Sequence, residues 1–321
     1  MSQRNCTLPF YSSGFKAGGP PPKDNLTFTL DELAHAMFTT GRSLADQNAH
    51  GERSRAEFFS RTSLILAYLS VAPSSRLEQT ELAKSLDQTE KAYLSYVLGQ
   101  AVTGLFCTKE LKFQFLMHVD RYSNRWNVKM TNGKVRPDLF GFKDCHSSDW
   151  VVAEAKGRSQ SPRKALKESI HKQKNSIGSI NKSQQILSLG CVTFLGAGGE
   201  YTLEVIDPDE TPPDSLNLVI GRDQLLLSYY EPFLEAISTA DRTGSDGGTT
   251  YVDFEDLRLR LGLNTALFNR TNSAIRGNLR GFADNVGEIL SNQAPDQNSG
   301  TYFPDGSVFR TYWDELQQQD S

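Results

Sequence analysis

The chain contains no apolar run approaching the ~18 residues of a membrane-spanning helix, so a membrane partner is not expected. Its start, MSQRNCTLPFYSSGFKAGGPPPKD, has no basic segment followed by an apolar core, which argues against a secretion signal. Residues 1–25 are expected to form a disordered tail. Cysteine is scarce: Cys6, Cys107, Cys145 and Cys191 lie far apart and form no CxxC pair. That spacing argues against a zinc site and a disulfide framework, and points to a reducing, cytoplasmic location. Cys145-His146 reads as a thiol and an imidazole in a turn rather than a ligand pair. The glycine-rich turns GAGG and GSDGG lack a following Gly-Lys-Ser/Thr, so neither is a phosphate loop. No internal repeat is present.

What remains is an ordinary globular composition, 38% hydrophobic with a mean hydropathy of -0.46, long enough for one large domain or two smaller ones. The net charge of -4 conceals an asymmetry. Residues 121–182 hold 14 Lys+Arg against 5 Asp+Glu, whereas the whole chain holds 34 against 38. A basic segment inside an acidic protein is a local feature, and polyphosphate is one natural partner.

Periodicity divides the chain into four stretches. After the tail, residues 26–88 read as a helical N-terminal region, with Thr29 or Asp31 as N-cap of TLDELAHAMF. Residues 89–222 read as an α/β core. Within it, EKAYLSYVLGQAVTGLF is a helix with an apolar stripe through Leu94, Val97 or Leu98, Ala101 and Leu105. LKFQFLMHVDRY follows as a strand, and VRPDLFGF and DWVVAEAK form a hairpin around the turn KDCHSS. SPRKALKESIHKQKNSI is a helix with Ser161 as cap and Pro162 in its first turn. CVTFLGAGGEYTLEVIDP gives two further strands. This order predicts a mixed central β-sheet flanked by helices. Residues 223–321 read as mainly helical, with STADRTGSDGGTT as a linker.

The hairpin carries the chemistry. Residues two apart on a strand share a face, so Trp150, Val152, Glu154 and Lys156 lie on one side. The preceding strand brings Asp138 across. Two neighbouring carboxylates repel unless a cation intervenes. Lys156 supplies part of that compensation, and a divalent metal would supply the rest. Hard oxygen donors on rigid strands suit Mg²⁺, with Mn²⁺ as substitute, and the Ala155 carbonyl is a further candidate ligand beside Asp138 and Glu154. Pro-Asp occurs five times, at 137, 208, 213, 295 and 304, and the other four lie in polar turns. A second acid-x-Lys, Glu110-Leu111-Lys112, has no Pro-Asp on a preceding strand.

Pro137-Asp138 followed by Glu154-Ala155-Lys156 resembles the signature of the PD-(D/E)xK nuclease superfamily. The resemblance covers roughly residues 89–222. It implies a restriction-endonuclease-like core and in-line hydrolysis of a nucleic-acid backbone, DNA first. Asp138 and Glu154 would bind the metal, and Lys156 would orient or help deprotonate water and stabilise charge at the phosphate. The family's glutamine in the next helix corresponds to Gln173, on the stripe Leu166, Ile170, Gln173, Ile177. The family often has a glutamate in the helix before the sheet. Glu90 and Gln100 are the two options, both expected at the surface. Arg136, Arg158, Arg163, Lys164, Lys167, Lys172 and Lys174 would surround the acidic pocket with the positive charge that tracks phosphates. The class further implies a restriction or anti-phage effector, acting as a homo-oligomer or with a defence-complex partner. Two rivals stand beside this reading: a nuclease-fold module that binds nucleic acid without cutting it, and a non-enzymatic assembly subunit.

Overall fold

Residues Asn5–Ser13 form a strand, β1, and Lys23–Thr29 a second, β2, paired antiparallel to it. The first residues are therefore structural, which corrects the disordered-tail expectation. Cys6, Leu8 and Phe10 are buried and alternate with more exposed residues, the period of a half-buried strand. The Gly- and Pro-rich composition masked that period. The computed structural model describes residues 4–15, 19–40, 52–119, 137–162, 177–182, 186–196, 199–206, 216–240, 242–292 and 300–313, and within 163–176 only 166, 168 and 170.

Helix α1 (Leu30–Thr40) starts at a capping box. The Glu32 amide donates to Thr29 Oγ1 at 3.2 Å, and the Thr29 amide to Glu32 Oε2 at 2.7 Å. Thr29 is thus the cap, and Asp31 is left for another task. Helix α2 (Glu52–Tyr68), the small ribbon β3 (Leu69–Val71) with β4 (Leu77–Gln79), and the short α3 (Glu81–Lys84) lead into α4 (Gln88–Lys109). A second capping box, Asp87 with Glu90, opens α4 and uses up the Glu90 carboxylate.

The core continues through β5 (Phe115–His118), β6 (Leu139–Phe142), β7 (Trp150–Arg158), β8 (Ile177–Ile180), β9 (Ile186–Leu195), β10 (Tyr201–Ile206) and β11 (Leu216–Leu218). Leu166, Glu168 and Ile170 are helical, where the sequence predicts a helix. The main sheet runs β2-β1-β10-β9-β7-β6-β5. It is mixed: β7 pairs parallel with β9 and β1 with β10, while the other neighbours are antiparallel. The α/β class is as expected, and β1 and β2 add two strands to the five that the sequence predicts for this sheet.

Residues 223–321 depart from the mainly helical expectation. Helix α5 (Arg222–Ser238) is followed by β12 (Gly244–Asp246), β13 (Thr249–Phe254), β14 (Leu259–Asn264), α6 (Thr265–Ile275), α7 (Phe282–Ser291), β15 (Thr301–Tyr302) and β16 (Ser307–Thr311). The strands form a second, antiparallel sheet ordered β12-β13-β14-β16-β15. Leu259, Leu261 and Leu263 are all buried, with period two, so LRLGLN is a strand despite the helical pattern that follows it. GSDGG, read as a linker, instead turns β12 into β13.

Helix α4 lies against one face of the main sheet at near backbone contact. A Cβ on Gly157 would sit 1.5 Å from the Ser95 carbonyl oxygen, and one on Gly99 would sit 2.7 Å from the Gly157 amide. Neither partner is a side chain that can swing away. Gly157→Ala must push α4 off β7, and is expected to cost about 3 kcal/mol of unfolding free energy, read as a shift of the urea midpoint. An unshifted midpoint would show that the two backbones are farther apart than described.

Candidate functional site

The β6–β7 ladder ends at Leu139↔Ala153. Two residues further along β7, the Ala155 amide points to the side that β6 has vacated, and there it donates to Asp138 Oδ2 at 3.0 Å. A side-chain carboxylate replaces a ladder carbonyl, and this anchors Asp138 at the strand end. The N–H and C=O of one strand residue leave the strand on the same side, so the Ala155 carbonyl also opens beside Asp138.

Glu154 and Lys156 occupy the opposite face to Ala155, as their spacing predicts. The Glu154 side chain is 0% exposed and Lys156 24%. Lys156 Nζ forms an ion pair with Glu154 Oε1 and lies 3.5 Å from Asp138 Oδ2. The three tips therefore converge. The Lys156–Glu154 contact is close but lacks hydrogen-bond geometry, so neither Glu154 oxygen receives a side-chain hydrogen bond among the described residues.

The electrostatics follow from that placement. Burial raises the Glu154 carboxyl to about 7, and the neighbouring Asp138 adds to the rise. Lys156 and the Asp138 backbone amide offset only part of it. For Lys156, burial opposes the charge, but Asp138 and Glu154 outweigh it and hold the ammonium above the ordinary lysine pKa. In this arrangement the two carboxylates favour the protonated form of Lys156.

The raised Glu154 has a measurable consequence. Between about pH 4.5 and 7 the native state keeps a proton that the unfolded chain has released. Stability contributed by this group is therefore full below that window and declines as pH rises through it. In EDTA the melting temperature of the wild type should fall across the window by on the order of 5 °C relative to Glu154→Gln. Parallel pH profiles for the two proteins would show that Glu154 titrates normally.

Beside Lys156 opens a cleft of about 790 Å³, lined by Gln88, Ala92 and Tyr96 of α4, by residues 155–162, and by Leu166. Arg158, exposed at the end of β7, is on its wall. Arg136, Arg163, Lys164, Lys167, Lys172, Lys174 and Gln173 lie outside the described residues. Of the predicted stripe, Ile170 is buried and Leu166 half-buried on the helix, whereas Ile177 is buried as the first residue of strand β8 and is not a helical position.

Of the two α4 options, Glu90 is at the surface in its capping box. Gln100 is not: it is 1% exposed, and its Nε2 donates to Tyr96 Oη at 3.0 Å. Gln100 lies one residue after the Gly99 contact with β7, and sequence spacing alone did not reveal that closeness. The second acid-x-Lys is a surface turn: Glu110 caps the end of α4, and Lys112 has φ 62°. Among the described residues, no group of three or more His, Cys, Asp or Glu side chains is placed to hold a metal ion. Any metal here would rest on two carboxylates and a backbone carbonyl.

A different Pro-Asp proved structural. Asp305, assigned from sequence to a polar turn, is 1% exposed. It accepts from His35 Nε2 at 2.9 Å, Tyr229 Oη at 2.5 Å, and the Ser307 amide and hydroxyl at 3.0 and 2.6 Å. Asp31, in the first turn of α1, accepts from the Thr311 amide at 2.6 Å and Thr301 Oγ1 at 2.7 Å. Two buried carboxylates thus clamp α1 to the second sheet and, through Tyr229, to α5.

The architecture defined by these elements is an α/β protein with a mixed seven-stranded sheet and an acid–acid–lysine cluster at the end of one central strand. Among the described residues no helix is long and apolar enough to cross a membrane. Comparison with protein-family models, with curated proteins and with solved structures finds no match.

Proposed function

We propose that the chain is a metal-dependent nuclease that hydrolyses phosphodiester bonds of DNA, with a restriction-endonuclease-like core. The observation that carries this reading is the convergence of Asp138, Glu154 and Lys156 at the end of β7. A buried glutamate with too few donors is costly. A functional demand for a hard-oxygen cation site accounts for its retention here.

The donor set fits a divalent cation of the Mg²⁺ type: two carboxylates and the Ala155 carbonyl would hold it, leaving positions for water. When bound, such an ion polarises a phosphoryl oxygen and lowers the pKa of a bound water. The chain's own residues do the rest. Asp138 is held by the Ala155 amide and so keeps its aim. Glu154, fixed inside the sheet, would present its ionised carboxylate to such a cation, its proton passing to solvent. Lys156, the ammonium beside both carboxylates, would offset negative charge developing at the phosphate. Arg158 extends the positive wall along the backbone of the substrate. A restriction or anti-phage role is the biological setting proposed for such an enzyme.

The test is incubation of the purified protein with single- and double-stranded DNA and RNA, in Mg²⁺, Mn²⁺ or EDTA. Cleavage of DNA that requires the metal supports the reading. Binding without cleavage in any metal would favour the non-cutting module instead.

A further inference from the structure

We infer that the open face of the main sheet at β1 and β2 is a second contact for the DNA backbone, with Lys23 on a phosphate and Tyr11 holding the Lys23 ammonium in place. The inference rests on the nuclease reading of Asp138, Glu154 and Lys156, and extends the substrate beyond the scissile phosphate. Strand register fixes the side of the sheet that each residue takes. Lys156 is paired with Val192 of β9, Val192 with Glu204 of β10, Glu204 with Tyr11 of β1, and Tyr11 with Lys23 of β2. Directly opposed residues share a face, so this row crosses the sheet on the Lys156 side. The next row, Gly157, Thr193, Leu203 and Phe10, lies on the other side, where the Phe10 ring meets Phe106 of α4 at 5.3 Å.

The Lys156 face is closed at β7 and β9 and open beyond them. Glu154 and Val192 are fully buried, whereas Tyr11 leaves 44% of its surface exposed. Ser13, Lys23, Asn25 and Thr27, on the same side of β1 and β2, are exposed as well. With strands ~4.8 Å apart, the four spacings from β7 to β2 put Lys23 about 19 Å from Lys156 along the sheet. Lys156 is held in its ion pairs with Asp138 and Glu154. Lys23 is held differently: its Nζ stands over the Tyr11 ring, 5.6 Å from the centroid, and among the described residues it forms no ion pair. A ring quadrupole positions an ammonium without neutralising it, so the charge stays available to a phosphate. Glu204, half-buried between the two lysines, interrupts the positive charge. Lys156 and Lys23 are therefore two separate contacts on one side of the sheet, and DNA carries its phosphates past both.

The test is fluorescence anisotropy in EDTA across a salt series, with labelled DNA of about 20 nucleotides, single-stranded or duplex, well beyond the roughly six that cover about 19 Å at ~3.4 Å each. Lys23→Ala is expected to flatten the slope of log affinity against log salt by about 0.7 on the single strand or about 0.9 on the duplex, the counterion release of one phosphate. It should weaken binding at low salt by up to about fivefold. Lys23→Arg keeps the charge and should keep the slope. Tyr11→Ala should reproduce part of the loss and add nothing in the Lys23→Ala background, whereas Tyr11→Phe keeps the ring and should bind like the wild type. A wild-type slope in Lys23→Ala would leave Lys23 as a charge that guards an edge strand, and would overturn the contact. A further loss from Tyr11→Ala in the Lys23→Ala background would overturn the holding role of the ring. Cleavage assays on the same proteins separate the two ideas. Metal-dependent cleavage with binding that ignores Lys23→Ala leaves the nuclease standing and removes this contact. Lys23-dependent binding without cleavage in any metal does the reverse.

Discussion

Lys156→Ala is expected to lower DNA cleavage by about 10²–10³-fold, the cost of removing one preorganised donor from a charge-developing site. Asp138→Ala should lose at least as much, because it removes both a candidate metal ligand and the partner of the Ala155 amide. The two losses should not add, since the proposed function has both residues act on the same reacting atoms. Lys112→Ala is the control: it belongs to the other acid-x-Lys and lies in a surface turn after α4. It should cut like the wild type. The measurement is the initial rate of loss of a labelled DNA substrate in Mg²⁺, with folding checked by circular dichroism. Cleavage that persists in both site variants would remove the site altogether.

The second large effect concerns stability. Asp305→Ala should lower the unfolding free energy by about 3–5 kcal/mol, because it strips a buried carboxylate from three residues that donate to it. The urea midpoint of the purified chain reads it directly. The pH dependence carries its own sign. Burial works to raise the Asp305 pKa, but His35, Ser307 and Tyr229 outweigh it and hold the carboxyl below its ordinary value. The unfolded chain then binds the proton first, at about pH 4. The contribution of Asp305 is present above that pH and is lost as pH falls through the lower native value. In Asp305→Asn the acid-side decline should shrink. An unaltered acid limb would place the acid sensitivity elsewhere. Glu154 tilts the profile the other way at higher pH, so one chain holds a buried acid that stabilises by ionising and another that stabilises by staying neutral.

The period-two pattern in DWVVAEAK determined by itself that Glu154 and Lys156 share a face, because alternation is a property of any strand. Apolar 3.6-residue spacing likewise determined α4, and its stripe is buried as expected. Composition misled at both ends of the chain. Glycine and proline around residues 14–22 hid the period of β1, and the charged residues interleaved in LRLRLGLN hid that of β14. Only the tertiary structure decided which copies of a motif matter. Pro137-Asp138 and Pro304-Asp305 are the same dipeptide. Strand pairing brings the first against Ala155 and Lys156, and a long-range clasp closes the second over His35, 270 residues away in sequence. It also decided the protonation of Glu154, since the field at a carboxylate depends on what surrounds it in space. Local patterns are set by geometry between neighbours in the chain; burial and charge are set by residues that meet only after folding.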